Sequence, residues 1–124
     1  VWRKNMSVKF YDSELHVMKV LWERGDCSAK EISNLLNQQI GWNINTTYTV
    51  IKKCIAKGAI ERYGKNFMCR ALISEKQAQA YEITELSEKL FHGSKMQLFN
   101  ALIDQKSLTE QEIADLKDLI NKLE

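Results

Sequence analysis

The chain has 124 residues, 44% hydrophobic and 27% charged, which suits one domain or one small domain with an appendage. No apolar run approaches the ~20 residues that a membrane-spanning helix needs, which excludes an integral membrane helix. The net charge of +2 hides an asymmetry: residues 1–70 carry 12 Lys+Arg against 6 Asp+Glu, whereas residues 71–124 carry 6 against 10. A basic half joined to an acidic half points to a module that binds polyanions and a module that associates.

Cys27, Cys54 and Cys69 have no metal-ligand spacing and leave an odd one out, which fits a reducing cytoplasm better than a disulfide framework. His16 and His92 stand alone, so no metal and no cofactor is expected. Val1-Trp2-Arg3-Lys4-Asn5 carries no secretory signal, and Met6 is expected to be the natural start, with the residues before it a remnant.

In chain order, residues 12–24 read as a first helix with Asp12 as N-cap. Leu15, Met18, Leu21 and Trp22 face inward, Val17 widens the stripe, and Gly25 ends it. Ser28 and Glu31 have capping-box spacing, with Cys27 and Ile32 placed as a hydrophobic staple. The second helix therefore starts at Ala29, presents Ile32, Leu35, Leu36 and Ile40 on one stripe, and stops at Gly41.

The stretch Trp42 to Gly58 is the centre of the chain. Thr47, Val50, Ile51, Cys54 and Ile55 fall on one helical face, with Asn43 as N-cap and Gly58 as left-handed terminator. The opposite face carries Asn45, Thr46, Tyr48, Thr49, Lys52 and Lys53. With Lys57 the helix holds three lysines and no carboxylate. Asn, Thr and Lys reach base edges and phosphates, and a carboxylate here would repel the DNA backbone. Two short amphipathic helices so tightly joined make a helix-turn-helix, the second being the reading helix.

After Gly58 the period changes. Ile60 to Tyr63 and Phe67 to Leu72 flank Gly64-Lys65-Asn66, which reads as a β-hairpin with Arg62, Lys65 and Arg70 open to solvent. A helix-turn-helix followed by a basic hairpin is a winged helix. From Ser74 onward the pattern is helical again: Ser74-x-x-Gln77, Ser94-x-x-Gln97 and Thr109-x-x-Glu112 start three helices near 75–92, 95–105 and 110–123, with Gly93 at a bend and Leu108 with Ile113 as a staple. Their stripes are Ala80, Ile83, Leu86, Leu90 and Phe91, then Leu98, Phe99, Leu102 and Ile103, then Ile113, Leu116, Ile120 and Leu123. Three short helices cannot bury these stripes among themselves, and a second copy is the economical partner.

The expected architecture is mainly α: a winged helix-turn-helix domain over residues 7–73 with a small β-hairpin wing, and a helical dimerisation domain over 74–124. From about Ser13 to Leu123 the chain resembles the penicillinase-repressor family of bacterial winged-helix regulators, which includes the methicillin-resistance and copper-responsive repressors. The resemblance rests on Val17-Met18 and Leu21-Trp22, Ser28-Ala29-x-Glu31-Ile32, Trp42, Thr46 and Thr49, Lys57-Gly58, and Leu72-Ile73-Ser74-Glu75.

The resemblance implies a homodimeric repressor of transcription. Its reading helix would enter the major groove of a dyad-symmetric operator, with Asn43 standing where the family commonly has Ser, Tyr48 where a basic side chain is frequent, and Lys53 where the family usually has Arg. It also implies an inactivating protease of a sensor system as a partner. The β-lactam branch is cut at an Asn-Phe bond in the middle C-terminal helix, and gapless matching puts Ala101-Leu102 there, with Asn100 one position early. The copper branch needs clustered thiolates, whereas here Cys27 and Cys54 are assigned to the helix-turn-helix and Cys69 to the wing, too far apart to meet.

Three rivals stand beside this reading. An enzyme would need a nucleophile, an acid-base pair or a phosphate loop, and none stands out; Glu85 and Glu88 are a solvated face, so no catalytic residue is expected. A winged helix binding a protein partner would bind independently of salt, unlike a DNA binder. A family repressor answering to another signal is the third.

Overall fold

The computed structural model describes residues 8–123. The expectation at Met6 lies outside them. In chain order the elements are α1 (Asp12–Arg24), β1 (Cys27–Ser28), α2 (Ala29–Ile40), α3 (Ile44–Ala56), β2 (Ile60–Tyr63), β3 (Met68–Ala71), α4 (Glu75–Leu90), α5 (Lys95–Asp104) and α6 (Glu110–Lys122). The fold is mainly helical with one small antiparallel sheet, the winged-helix arrangement. The chain divides into two compact units, with the division after Glu82, inside α4.

In the first unit α1, α2 and α3 pack around Val17, Met18, Leu21, Ile32, Leu36, Val50, Ile51 and Cys54, all at or below 5% exposure. Truncating one of the fully buried leucines or isoleucines should cost ~2–5 kcal/mol, since the cavity cannot collapse in so close-packed a centre. The sheet seals one edge, with strand order β1-β3-β2. Ile60 pairs with Ala71 and Tyr63 with Met68, so the expected hairpin forms, but its turn runs from Gly64 to Phe67, one residue longer than expected, and Leu72 also lies outside its second strand. The Trp22 indole N–H donates to the Ile73 carbonyl at 2.8 Å, tying the chain leaving the wing to α1.

Several local expectations are corrected. The N-cap of α1 is Tyr11, not Asp12, because the Glu14 carboxylate reaches back to accept the Tyr11 N–H at 2.8 Å. Val20 is buried in place of Leu15 and Trp22, which are half-buried. Ile40 is 40% exposed, since the last turn of α2 runs past the core. Ile55 is only half-buried. A third strand, β1, is present; its two residues are too few for a period to show, and they pair as Cys27 with Cys69 and Ser28 with Met68. The separation expected of Cys27 from Cys69 therefore fails, because the wing folds back so that the two are cross-strand partners.

The caps otherwise follow the residues. Ser28 Oγ accepts the Glu31 N–H at 3.1 Å and Glu31 accepts the Ser28 N–H at 2.9 Å. The Ser74–Gln77 and Thr109–Glu112 boxes close in the same way, and Ser94 Oγ accepts the Gln97 N–H. Gly41 ends α2 in the left-handed region at φ 74°, a conformation that a β-carbon would strain.

The second unit has little interior. Neither α5 nor α6 contains a buried residue, and Ile83, Leu86, Leu90, Met96, Leu102, Ile103, Ile113, Leu119, Ile120 and Leu123 are exposed. Among the described residues of this unit Ser87 is buried, and its hydroxyl donates to the Ile83 carbonyl at 2.8 Å. Its own carbonyl accepts the N–H groups of Phe91 and Gly93, closing the end of α4.

Candidate nucleic-acid interface

Helix α3 is built to expose one polar face. Asn43 Oδ1 accepts the Thr46 N–H at 2.8 Å, which fixes the first turn, and the Asn37 side-chain amide donates to the Trp42 carbonyl at 3.0 Å, which fixes the turn from α2. The Trp42 ring lies edge-on to His16, 5.5 Å between centroids. With Thr47, Val50, Ile51 and Cys54 turned inward, Asn45, Thr46, Thr49, Lys52 and Lys53 are exposed, as is the capping Asn43. No carboxylate lies on the helix. It offers an incoming polyanion hydroxyl, amide and ammonium groups, with the positive end of the helix dipole at Ile44.

Two side chains of this stretch, Lys57 and the expected member Tyr48, do not stand free on the polar face. Lys57 turns inward at the C-cap, its Nζ 2.6 Å from Glu14 Oε1 and 2.8 Å from the Lys9 carbonyl, between the rings of Phe10 and Tyr11. Glu14 is buried and needs that charge. Tyr48 is half-buried, its ring edge-on to Phe67 at 5.6 Å. Lys53 stands apart from Tyr48, lining a cleft of about 520 Å³ with Tyr11, Ser13, Glu14, Ala56 and Lys57.

The wing brings Arg62 and Lys65 to the surface beside α3. The Arg62 guanidinium lies over the Phe67 ring at 3.7 Å, and Lys65 lines a cleft of about 510 Å³ with Ser28, Lys30, Glu31, Tyr48, Asn66, Phe67 and Met68. Lys30, on the first turn of α2, is a cation of this surface that the sequence reading missed; its place inside the capping box, between Ser28 and Glu31, was the available signal. Glu31 in the same cleft is held below the usual carboxylate range by the Ser28 backbone N–H and hydroxyl. Arg70 is open to solvent as expected, yet its charge is committed: it meets Asp26 at 3.3 Å and Glu61 at 3.1 Å and lies over the Tyr63 ring.

Burial drives the thiols away from ionisation. Cys54 is pushed up to about 12, by desolvation first and the Glu14 carboxylate second, and Cys69 up to about 11, by desolvation and then Cys27. Among the described residues no group of three or more His, Cys, Asp or Glu side chains is placed to hold a metal. Among the same residues no helix is long and apolar enough to cross a membrane.

The residues expected to associate also fall on exposed or half-exposed surfaces. Ile83, Leu90, Leu102, Ile103, Ile113, Ile120 and Leu123 are exposed, and Leu98, Phe99 and Leu116 are half-buried. On α4 the exposed line includes Ala80, Ile83, Leu86 and Leu90, whereas Ala78 belongs to the core of the first unit.

Comparison with known proteins agrees with this geometry. The chain is 25% identical over 120 residues to the methicillin resistance regulatory protein MecI of Staphylococcus aureus, covering 95% of this chain and 98% of that protein. It is 23% identical over 113 residues to the penicillinase repressor of Bacillus licheniformis, covering 90% and 88%. An uncharacterised 16.5 kDa protein of Latilactobacillus sakei is 31% identical over 110 residues, covering 87% of this chain and 75% of that one. Among solved structures, the DNA-binding domain of the repressor BlaI superposes with a TM-score of 0.51 at 28% identity, covering 55% of this chain and 85% of that domain. A MarR family protein from Bacillus stearothermophilus shares the fold over 98% of this chain and 78% of that one, with a TM-score of 0.50 at 19% identity. Residues 11–122 match the penicillinase repressor profile, so the chain belongs to the penicillinase repressor family of DNA-binding transcriptional repressors.

Proposed function

We propose that this protein represses transcription as a homodimer on a dyad-symmetric operator, as a regulator of the β-lactamase and antibiotic-resistance type acting in the cytoplasm. Residues 7–73 bind double-stranded DNA and residues 74–124 associate. The observation that carries the reading is the exposed face of α3, where Asn45, Thr46, Thr49, Lys52 and Lys53 stand free of any carboxylate on the helix. Asn45 and Thr49 contact base edges, and Lys52, Lys53, Arg62 and Lys65 neutralise phosphates. Ile83, Leu90, Leu98, Phe99, Leu102, Ile103, Ile113, Leu116, Ile120 and Leu123 are covered by the second copy. That assignment is supported by apolar surface that α5 and α6 leave uncovered. A protease of a sensor system releases the repressor by cutting α5 between Asn100 and Ile103, which separates α6 from the rest.

The test is a gel shift with a duplex selected from a random pool, paired with sedimentation. Lys53→Ala should weaken binding by ~1–3 kcal/mol with native stability. The full chain should sediment as a dimer of about twice 14.4 kDa, and Leu102→Asp or Phe99→Asp should give monomers that bind the duplex poorly. Truncation after Ala101 should leave a folded, mainly monomeric fragment of much weaker affinity. A monomeric wild type at micromolar concentration overturns the assembly, and unchanged affinity of Lys53→Ala removes α3 from the interface.

A further inference from the structure

Phe67 closes the four-residue turn of the wing with a φ of +51°, a region that a bulky side chain rarely adopts. Something must hold it there, and its surroundings show what does. Its carbonyl accepts the Ala29 N–H at 2.9 Å, which pins the turn to the first residue of α2. The edge of its aromatic pair is with Tyr48 of α3, at 5.6 Å and an interplanar angle of 84°. Over its ring lies the Arg62 guanidinium of β2, 3.7 Å from the centroid. One residue thus joins α2, the reading helix and the wing.

We propose that Phe67 is a positioning residue for DNA binding: standing between the Tyr48 ring and the Arg62 guanidinium, it locks wing to reading helix so that both meet the duplex as one preformed surface. Tyr48 is then a strut as well as a surface group, which accounts for its half-burial amid exposed neighbours. Arg62 keeps its charge open to solvent while its planar group is held flat by cation–π contact, so it reaches a phosphate without losing rotamer freedom on binding. The inference rests on the DNA-binding reading for its consequence, but the clasp itself is a property of the free protein.

The two are tested separately on the full chain. The first readout is the Arg62 Nε–Hε signal and its heteronuclear Overhauser effect in the absence of DNA. The second is affinity for a mixed-sequence duplex of about 30 base pairs as salt is varied, because each lost phosphate contact lowers the slope of log K against log salt by ~0.9. Phe67→Gly removes the ring while keeping a residue that adopts the positive φ readily, so the turn itself can persist without the clasp. The variant should make Arg62 mobile, weaken binding about 10-fold and flatten the slope by about one contact. Phe67→Tyr should restore all three readings. Phe67→Leu, which keeps an apolar side chain without a π face, should resemble the glycine variant in both readouts and serves if that variant does not fold. An Arg62 signal as rigid in Phe67→Gly and Phe67→Leu as in wild type overturns the clasp, and unchanged affinity and slope overturn its role in positioning. A wild type whose duplex binding does not depend on salt overturns the DNA-binding reading instead, while the Arg62 signal still judges the clasp.

Discussion

The Lys57 ammonium lies 2.6 Å from Glu14 Oε1, bridging the end of α3 to the start of α1 across 43 residues of sequence. Glu14 is 4% exposed at its side chain and Lys57 23%, so the pair is largely out of water. Removing one partner leaves the other charge buried and uncompensated. Lys57→Ala should therefore destabilise the protein by ~3 kcal/mol, and the double variant Lys57→Met with Glu14→Leu should recover much of that loss. Denaturant titrations of the single and double variants decide it; equal stability of Lys57→Ala and wild type would show the pair to be incidental.

Thr47 has the opposite problem. Its side chain is fully buried on the inner face of α3, and its hydroxyl has no hydrogen-bond partner among the described residues. Valine has the same shape without the polar atom, so Thr47→Val should stabilise by about 1 kcal/mol. Because the side chain faces the core, affinity for DNA should not change. A drop in melting temperature would mean that a water serves the hydroxyl.

The three thiols should be inert in the folded protein. Burial raises all of them, Cys54 to about 12 and Cys69 to about 11, and only the thiolate reacts. An aromatic disulfide reagent at neutral pH should label none of them until denaturant unfolds the domain. Copper(I) should not release the protein from DNA, since all three thiols are buried and held protonated rather than forming an open thiolate site. Fast labelling of Cys27 or Cys69 in the native state would contradict this.

The back of the wing should carry a measurable pH window. The Tyr63 hydroxyl donates to Asp26 at 2.6 Å, which raises Tyr63 above its ordinary 10.0, while that bond, with Arg70, lowers Asp26 below its ordinary 3.8. A lowered carboxylate stabilises above its unfolded value and loses this as pH falls through the folded one. A raised tyrosine stabilises below its unfolded value and loses this as pH rises through the folded one. The tie should thus be complete between 3.8 and 10.0 and fail on either side. Comparison of the ultraviolet titrations of wild type and Tyr63→Phe should show Tyr63 ionising late, and Asp26→Asn should bring that ionisation down.

Much of this protein is written locally. Ser28 with Glu31, Asn43 with Thr46, Ser74 with Gln77, Ser94 with Gln97 and Thr109 with Glu112 act over three residues, so the starts of five helices follow from residue types alone. The period of Thr47, Val50, Ile51 and Cys54 likewise determines which face of α3 is buried, and with it the exposed face of Asn45, Thr46, Thr49, Lys52 and Lys53.

Tertiary structure alone decided the rest, because the contacts join residues far apart in sequence. Lys57 sits at the end of a basic helix and reads as one more cation, yet a buried carboxylate 43 residues earlier claims it. Tyr48 reads as an outward side chain until the turn of the wing brings Phe67 against it. Cys27 and Cys69 become neighbours only when the chain returns through β3. Local rules place a side chain on a face of its helix; what that face meets depends on which distant segment folds onto it, and no local period carries that.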